Sequence, residues 1–386
     1  MSHAPATLPV HHNPKRAAWA VRIQFFVAGA LGATWGVHVP TVKVHYALGE
    51  QALAAALLAA GVGALLALVQ AGRLIARRGP RVVAVCNGLA CALAVAALLG
   101  FRSLAGLLPL MLGLGIATSL FDVAINAEAT DIEHRAGRPL MSGFHGMFSL
   151  GGMTGAAVGA ALLHRGIAPV QHLLGAALAC AVFVLLAGWG MPRLQGSPQG
   201  EALSLPRGPL ALIGLLAALG LISEGAMYDW SVLFLKQERG SDPGTASLAY
   251  ASFSAAMAAA RFGGDWIRAR MSPVNLLRAS GLLGAAGMGL ALAVPSPVVA
   301  LLGFALVGLG FANVVPVLFS AASRLPGIPA AHGIAAVSSM GYLGLMAGPP
   351  LIGVIAEHRS LSVGLSAVVM FALVMTLAAR RALPRP

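Results

Sequence analysis

Residues 52–100 read ALAAALLAAGVGALLALVQAGRLIARRGPRVVAVCNGLACALAVAALLG. Two apolar runs flank a short turn that carries Arg73, Arg77, Arg78 and Arg81. A hydrocarbon layer about 30 Å thick is crossed by roughly 20 apolar helical residues, because inside it every backbone N–H and C=O must be bonded within its own segment. Each run has about that length. The stretch therefore predicts two membrane-spanning helices that reverse through a basic turn on one side of a bilayer.

Outward from this hairpin the same alternation of apolar runs and Pro/Gly or polar breaks continues almost end to end. It predicts helices near 17–39, 52–72, 82–100, 105–127, 140–163 and 170–191, then near 209–237, 244–262, 274–294, 298–322, 332–356 and 361–381. Between the two sets, Pro192 to Gly208 contains Gln195, Ser197, Pro198, Gln199, Ser204 and Pro206, which is linker composition. The expected organisation is an all-α membrane protein of twelve spans: a first six-helix bundle at 1–191, a cytoplasmic linker at 192–208 and a second bundle at 209–386.

Composition agrees with this reading. The chain is 58% hydrophobic and 10% charged, against about 25% charged in an ordinary soluble domain. A net charge of +13 would suit a nucleic-acid partner in a soluble protein. Here it reads as the basic loops that face the cytoplasm and meet anionic lipid. With both termini cytoplasmic, Lys43, Arg102, Arg165, Lys236, Arg239 and Arg359 are the six of the 25 Lys and Arg left on the outer side. The expected location is a bacterial inner membrane. Cys86, Cys91 and Cys180 lie in apolar runs without metal-ligand spacing and read as small core residues. The first 18 residues, with Pro5, Pro9, Pro14, His11 and His12 ahead of Lys15 and Arg16, lack the pattern of a cleaved signal. The first helix is expected to stay as an anchor.

The halves echo each other. Gly113-Leu114-Gly115 returns as Gly308-Leu309-Gly310, His164-Arg165 as His358-Arg359, and Lys43 as Lys236, all near a constant offset. Such duplication is common in transporters.

Gly72-Arg73-Leu74-Ile75-Ala76-Arg77-Arg78-Gly79-Pro80-Arg81 resembles the loop motif of the major facilitator superfamily, with Gly72, Arg77, Gly79 and Arg81 in matching places and Ala76 where the family has Asp. The motif implies a tight turn whose cations latch one conformation. In the second half Arg261-Phe262-Gly263-Gly264-Asp265 stands at the equivalent loop, and Asp265 supplies an acid. Phe121-Asp122-Val123-Ala124-Ile125-Asn126, Glu133-His134-Arg135, Phe144-His145, Ser149-Leu150-Gly151-Gly152, Glu224 to Trp230, Gly341-Tyr342 and Gly348-Pro349 are similar to the bacterial YbjJ-type branch, related to the fucose permease group. That resemblance implies proton symport of a small polar solute such as a sugar, by a monomer that needs no cofactor. The fifth run lacks the Gly-Pro element of drug antiporters, which disfavours the alternative of proton-driven efflux.

Acids inside hydrocarbon are costly and mark ion or substrate paths. Asp122, with Asn126 one turn on, and Glu224 near the middle of the seventh run are the candidates for proton coupling and substrate binding. The competing reading is that each pairs with a basic neighbour and only steadies packing. Asp229, nearer the outer face, reads first as a solvated residue and second as a gate. His145 shares a face with Ser149 close to the cytoplasmic entrance, where capping a gate is as natural as coupling. Trp35, His38, Asn313 and Tyr342 are candidates to line a polar cavity with aromatic walls. A membrane enzyme would need a metal cluster or a nucleophile with a placed base, and a receptor would bring a soluble domain; the sequence shows neither pattern.

Overall fold

The computed structural model describes residues 14–137, 140–192, 206–328 and 330–383, with Pro14, Asp265, Ala330 and Ala331 described through their backbone alone. The polar N-terminal tail, Arg138 and most of the expected linker lie outside the described residues. What is described is helical: α1 Pro14–His45, α2 Glu50–Arg78, α3 Pro80–Ala96, α4 Leu104–Ala136, α5 Met141–His164, α6 Pro169–Gly190, α7 Pro209–Glu238, α8 Pro243–Phe262, α9 Gly264–Arg268, α10 Pro273–Ala293, α11 Pro297–Phe311, α12 Val314–Ala322, α13 Ala330–His358 and α14 Leu361–Ala382. Proline occupies the first turn of α3, α6, α7, α8, α10 and α11, where its missing N–H has no partner to lose. Ser272, Ser296 and Ser360 cap α10, α11 and α14 through side-chain oxygens.

Ten spans are long and apolar enough to cross a membrane by length and composition, α11 and α12 counting together as one. Two more helices complete twelve crossings. The apolar helix α3 has 17 residues and runs on as turns to Leu99, and α8 has Ser, Gly and Tyr among its alanines. The outer surface suits lipid: Leu93, Leu178, Met370 and Leu377 are each more than 60% exposed. Trp19, Trp189 and Trp266 stand exposed near the end of the bundle that holds the termini, as an interfacial belt does. That end is the terminal face below, and the other is the far face.

Three local features depart from the sequence reading. The α4 helix runs nine residues past the expected end at 127, so Glu133-His134-Arg135 is its last turn; it stops at Gly137 in a left-handed conformation whose N–H bonds back to the Glu133 and His134 carbonyls. The tenth span breaks between α11 and α12, because Pro316 has no N–H to give the Ala312 carbonyl and its ring crowds that carbonyl. Cys91 and Cys180 are buried as expected, but Cys86 is exposed on α3.

The basic turn is a single residue. Gly79 joins α2 to α3 at φ 78 and ψ 154, a region that a side chain makes strained. Gly79→Ala is expected to cost about 1–3 kcal/mol and lower the thermal unfolding midpoint in detergent. The same change at Gly113, which faces open space, should leave the midpoint within error.

Close glycine contacts set the packing. A Cβ on Gly115 would sit 1.8 Å from the Ala60 carbonyl oxygen of α2, and one on Gly308 would sit 2.3 Å from the Phe253 carbonyl oxygen of α8. The fourth span thus rests on the second as the tenth rests on the eighth, but through different glycines of the repeat: Gly113, the counterpart of Gly308, faces open space, and Gly310, the counterpart of Gly115, packs on Ser280 and Gly284 of α10. Between the sets, α5 packs along α8 and α2 along α13. These two seams exchange equivalent helices, as a pseudo-twofold axis requires.

Candidate transport site

The centre of the seam between the two sets is a charge relay. On α8, Arg261 donates from Nη2 to Glu224 Oε1 on α7 at 3.0 Å and from Nη1 to Ser149 Oγ on α5 at 2.8 Å. The Tyr228 hydroxyl donates to the same Glu224 oxygen at 3.2 Å. Side-chain exposure is 13% for Arg261 and 11% for Glu224, so the pair is shielded from bulk water and its attraction is little screened. The sequence places Arg261 in a cytoplasmic loop. Instead it ends α8 with its guanidinium turned inward, and one cation joins both sets of helices.

Aromatic rings stack toward the far face from this relay. Tyr228 lies 5.0 Å from Tyr250 and 5.2 Å from Phe253 between ring centroids, with Phe148 of α5 edge-on at 6.4 Å. Gly36 of α1 abuts the Tyr250 ring, where a Cβ would approach to 2.6 Å. Beside it the Trp35 indole meets Asp229 Oδ1 at 3.5 Å. Asp229 is half-buried beside this indole.

Asp122 and Asn126 share a face of α4 as expected, and Asn126 Nδ2 donates to the Asp122 carboxylate at 3.0 Å and to its carbonyl at 2.9 Å. Both are half-buried. Tyr342 on α13 is 40% exposed and within electrostatic reach of Asp122 across the seam between the two sets. His145 is half-buried one turn before Ser149, and its ring lies edge-on to Phe25 at 5.2 Å.

Two cavity candidates sit elsewhere. His38 is fully buried between α1 and α6, bonded to His172 Nδ1 at 2.9 Å and to Thr41 at 3.3 Å. Asn313 is buried at the break between α11 and α12, beside Gly264. Of the loop motif, Gly72 and Arg77 belong to α2, Gly79 is the turn and Arg81 opens α3. Gln70, Arg73, Leu74 and Arg77 line a recess of about 230 Å³ near the terminal face. The proposed acid of the second motif, Asp265, has its side chain outside the described residues.

Contacts between the sets also gather at the far face. The Gln51 N–H donates to Glu357 at 3.0 Å, Gly353 rests on Ala54, and His164 Nδ1 meets Asp242 at 3.3 Å. Asp242 caps α8 by accepting from the Gly244 and Thr245 N–H groups. Its carboxyl is held below the usual carboxylate range, first by the Thr245 side chain and then by the Thr245 N–H, His164 and the Gly244 N–H, with slight burial opposing. A lowered native value means the ionised cap stabilises the fold above the ordinary value of about 3.9, and this contribution disappears as pH falls through the native value. Asp242→Asn should therefore lower the unfolding midpoint at neutral pH, and the gap to the parent should close in acid.

One buried acid is missing from the sequence reading. Glu128 on α4 is 1% exposed and neither carboxylate oxygen has a hydrogen-bond partner. The expected helix end at 127 put it in a loop; the signal that finds it is the stripe Phe121, Ile125, Glu128 and Ile132 at helical spacing.

Two sets of six crossings, held by symmetric seams around a buried relay, define a multi-pass membrane transporter. The chain belongs to the Major Facilitator Superfamily, whose family model matches residues 23–349. It is 36% identical over 362 residues to an uncharacterized MFS-type transporter of Yersinia pestis, covering 94% of each chain. It is 31% identical over 370 residues to the membrane protein MosC of Rhizobium meliloti, covering 94% of this chain and 88% of that one. Among solved structures, a D-xylose-proton symporter aligns with a TM-score of 0.77 at 15% identity over 96% of this chain and 98% of that one. The nucleoside transporter NupG aligns at 0.74 and 14% over 95% and 99%. These likenesses carry the fold. The relatives and the fold are those of transporters, not enzymes.

Proposed function

We propose that the protein is a secondary active transporter of the bacterial inner membrane that moves a small polar solute, such as a sugar or metabolite, coupled to protons. It works as a monomer with both termini in the cytoplasm. The two sets of six helices, 1–191 and 209–386 joined by a linker at 192–208, rock about the space faced by Asp122, Asn126 and Tyr342. The observation that carries this reading is the Glu224–Arg261–Ser149 relay across the seam. Protonating Glu224 removes the counter-charge that holds Arg261, which loosens the bond from Arg261 to α5. Proton loading and helix motion are then one event. Asp122, half-buried and bonded by Asn126, is the second acid assigned to exchange a proton with the solute path.

The coupling of solute to proton follows the YbjJ-type and fucose-permease-related resemblance, and the 94%-coverage bacterial relatives support the location. The basic residues on the terminal face support the orientation.

A solute screen in proteoliposomes with an imposed pH gradient tests the proposal, comparing parent, Asp122→Asn and Glu224→Gln. The expected result is gradient-driven accumulation of one solute class by the parent and loss of at least tenfold in each variant. Accumulation retained by both variants would remove the assigned acids, and movement only out of the vesicle against the proton flow would favour efflux.

A further inference from the structure

Glu128 stands apart from the acids above. Asp122 accepts from Asn126, Glu224 is paired with Arg261, and Asp229 accepts from Trp35. Glu128 is more buried than any of them and takes no hydrogen bond on either oxygen. It lies on the stripe of α4 that also buries Phe121, Ala124, Ile125 and Ile132, turned away from the face that carries Asp122 and Asn126. It therefore looks into the first set of helices and not into the seam.

The charges that act on Glu128 are Asp131 and Arg135 of the same helix, and Arg135 is already engaged with Asp131 at 2.9 Å. The helices packed against α4 carry Lys15, Arg16, Arg22, Arg73, Arg77, Arg78, Arg81 and His145 toward the terminal face, and neither Glu128 oxygen accepts a hydrogen bond from any of them. On α1, Gln24 is also fully buried with its Oε1 unpaired. A carboxylate in such a place has no donor, and the Arg135 that acts on it is shared with Asp131, so burial penalises the ion far more than the acid. A carboxylic acid needs one acceptor, and Gln24 Oε1 and Asp131 Oδ2 are both acceptors without a hydrogen bond among the described residues, the latter in ion-pair contact with Arg135.

We propose that Glu128 is a proton-binding site inside the first set of helices, separate from the solute-facing acids and exchanging its proton with water at the terminal face. It deepens the proton-coupled reading and rests on it for its role in transport, but its occupancy is measurable without any solute. In the exchange step the Glu128 O–H bond breaks, water takes the proton, and the carboxylate left behind is hydrated as the terminal end of α4 opens. Eight residues separate Glu128 from the end of α4 at Ala136, about 12 Å of helix rise.

Infrared spectroscopy of the purified full chain, titrated from mildly acidic to alkaline buffer, tests this with protons as the only probe. The parent is expected to show a carboxylic-acid carbonyl band at neutral pH that is absent from Glu128→Gln and that disappears from the parent in alkali. Glu128→Gln keeps the shape and the neutral charge, so it should unfold at the parent temperature at neutral pH. Identical acid bands in parent and variant would overturn the proposal, because Glu128 would then be ionised. A Glu128 band that survives at every pH would also overturn it, since such an acid is sealed and structural. If no solute moves in any screen the transport reading fails, and the infrared result still decides whether Glu128 binds a proton.

Discussion

Arg261→Ala is expected to unfold the protein more readily than any other single charge removal, with a loss of about 3–5 kcal/mol. The alanine leaves Glu224 buried without its cation and strips Ser149 of its donor, so the cost is the uncompensated carboxylate and not the lost attraction alone. Arg261→Met combined with Glu224→Gln removes both charges at similar volume, and should recover most of the stability because a neutral buried pair has no desolvation debt. Thermal unfolding in detergent of the two single variants and the double variant gives the coupling directly. Equal losses in Arg261→Ala and the double variant would mean the relay is not an energetic unit.

The second large effect is steric. Gly151→Val would put a Cβ 1.9 Å from the Phe26 carbonyl oxygen of α1, and Gly115→Val would put one 1.8 Å from the Ala60 carbonyl oxygen of α2. Backbone cannot move aside as a flexible side chain can, so the helix pair must separate and surrender its van der Waals contact, which drives helix association in lipid. A loss of about 3 kcal/mol, the upper end of overpacking costs, is expected for each. Gly143→Ala faces open space and should be silent. The readout is the fraction of monodisperse protein by size-exclusion chromatography after heating.

Much of the architecture was legible because hydropathy is a local property. Run length, the Gly-Arg-rich turn at residues 72–81 and the asymmetry of Lys and Arg follow from what each segment needs of lipid or water. The Gly-Leu-Gly echo was legible too, although the glycine that meets the neighbouring helix is the last of the motif in the first set, Gly115, and the first in the second set, Gly308. The misread ends have local causes that a hydropathy window blurs: the polar last turns of α4 remain helical until Gly137, and Pro316 breaks a run whose hydropathy never falls.

The candidate acids divide differently. Asp122 with Asn126 could be matched from spacing, since both lie on one helix four residues apart. Pairing Glu224 with Arg261, exposing Asp229 to Trp35, drawing His38 to His172 and leaving Glu128 alone all depend on residues distant in the chain. Most of these helices are apolar on every side, because one face meets lipid and the other meets protein, so periodicity does not reveal which way a polar residue turns. The sequence by itself therefore determined how many times the chain crosses, where most of the turns fall and that Asp122 and Glu224 lie within the helices. Only the tertiary structure decided which acid has a partner. Rotation of each helix about its axis is set by through-space packing at glycine contacts, and a carboxylate becomes an ion pair or an orphan according to what that rotation brings within hydrogen-bonding distance.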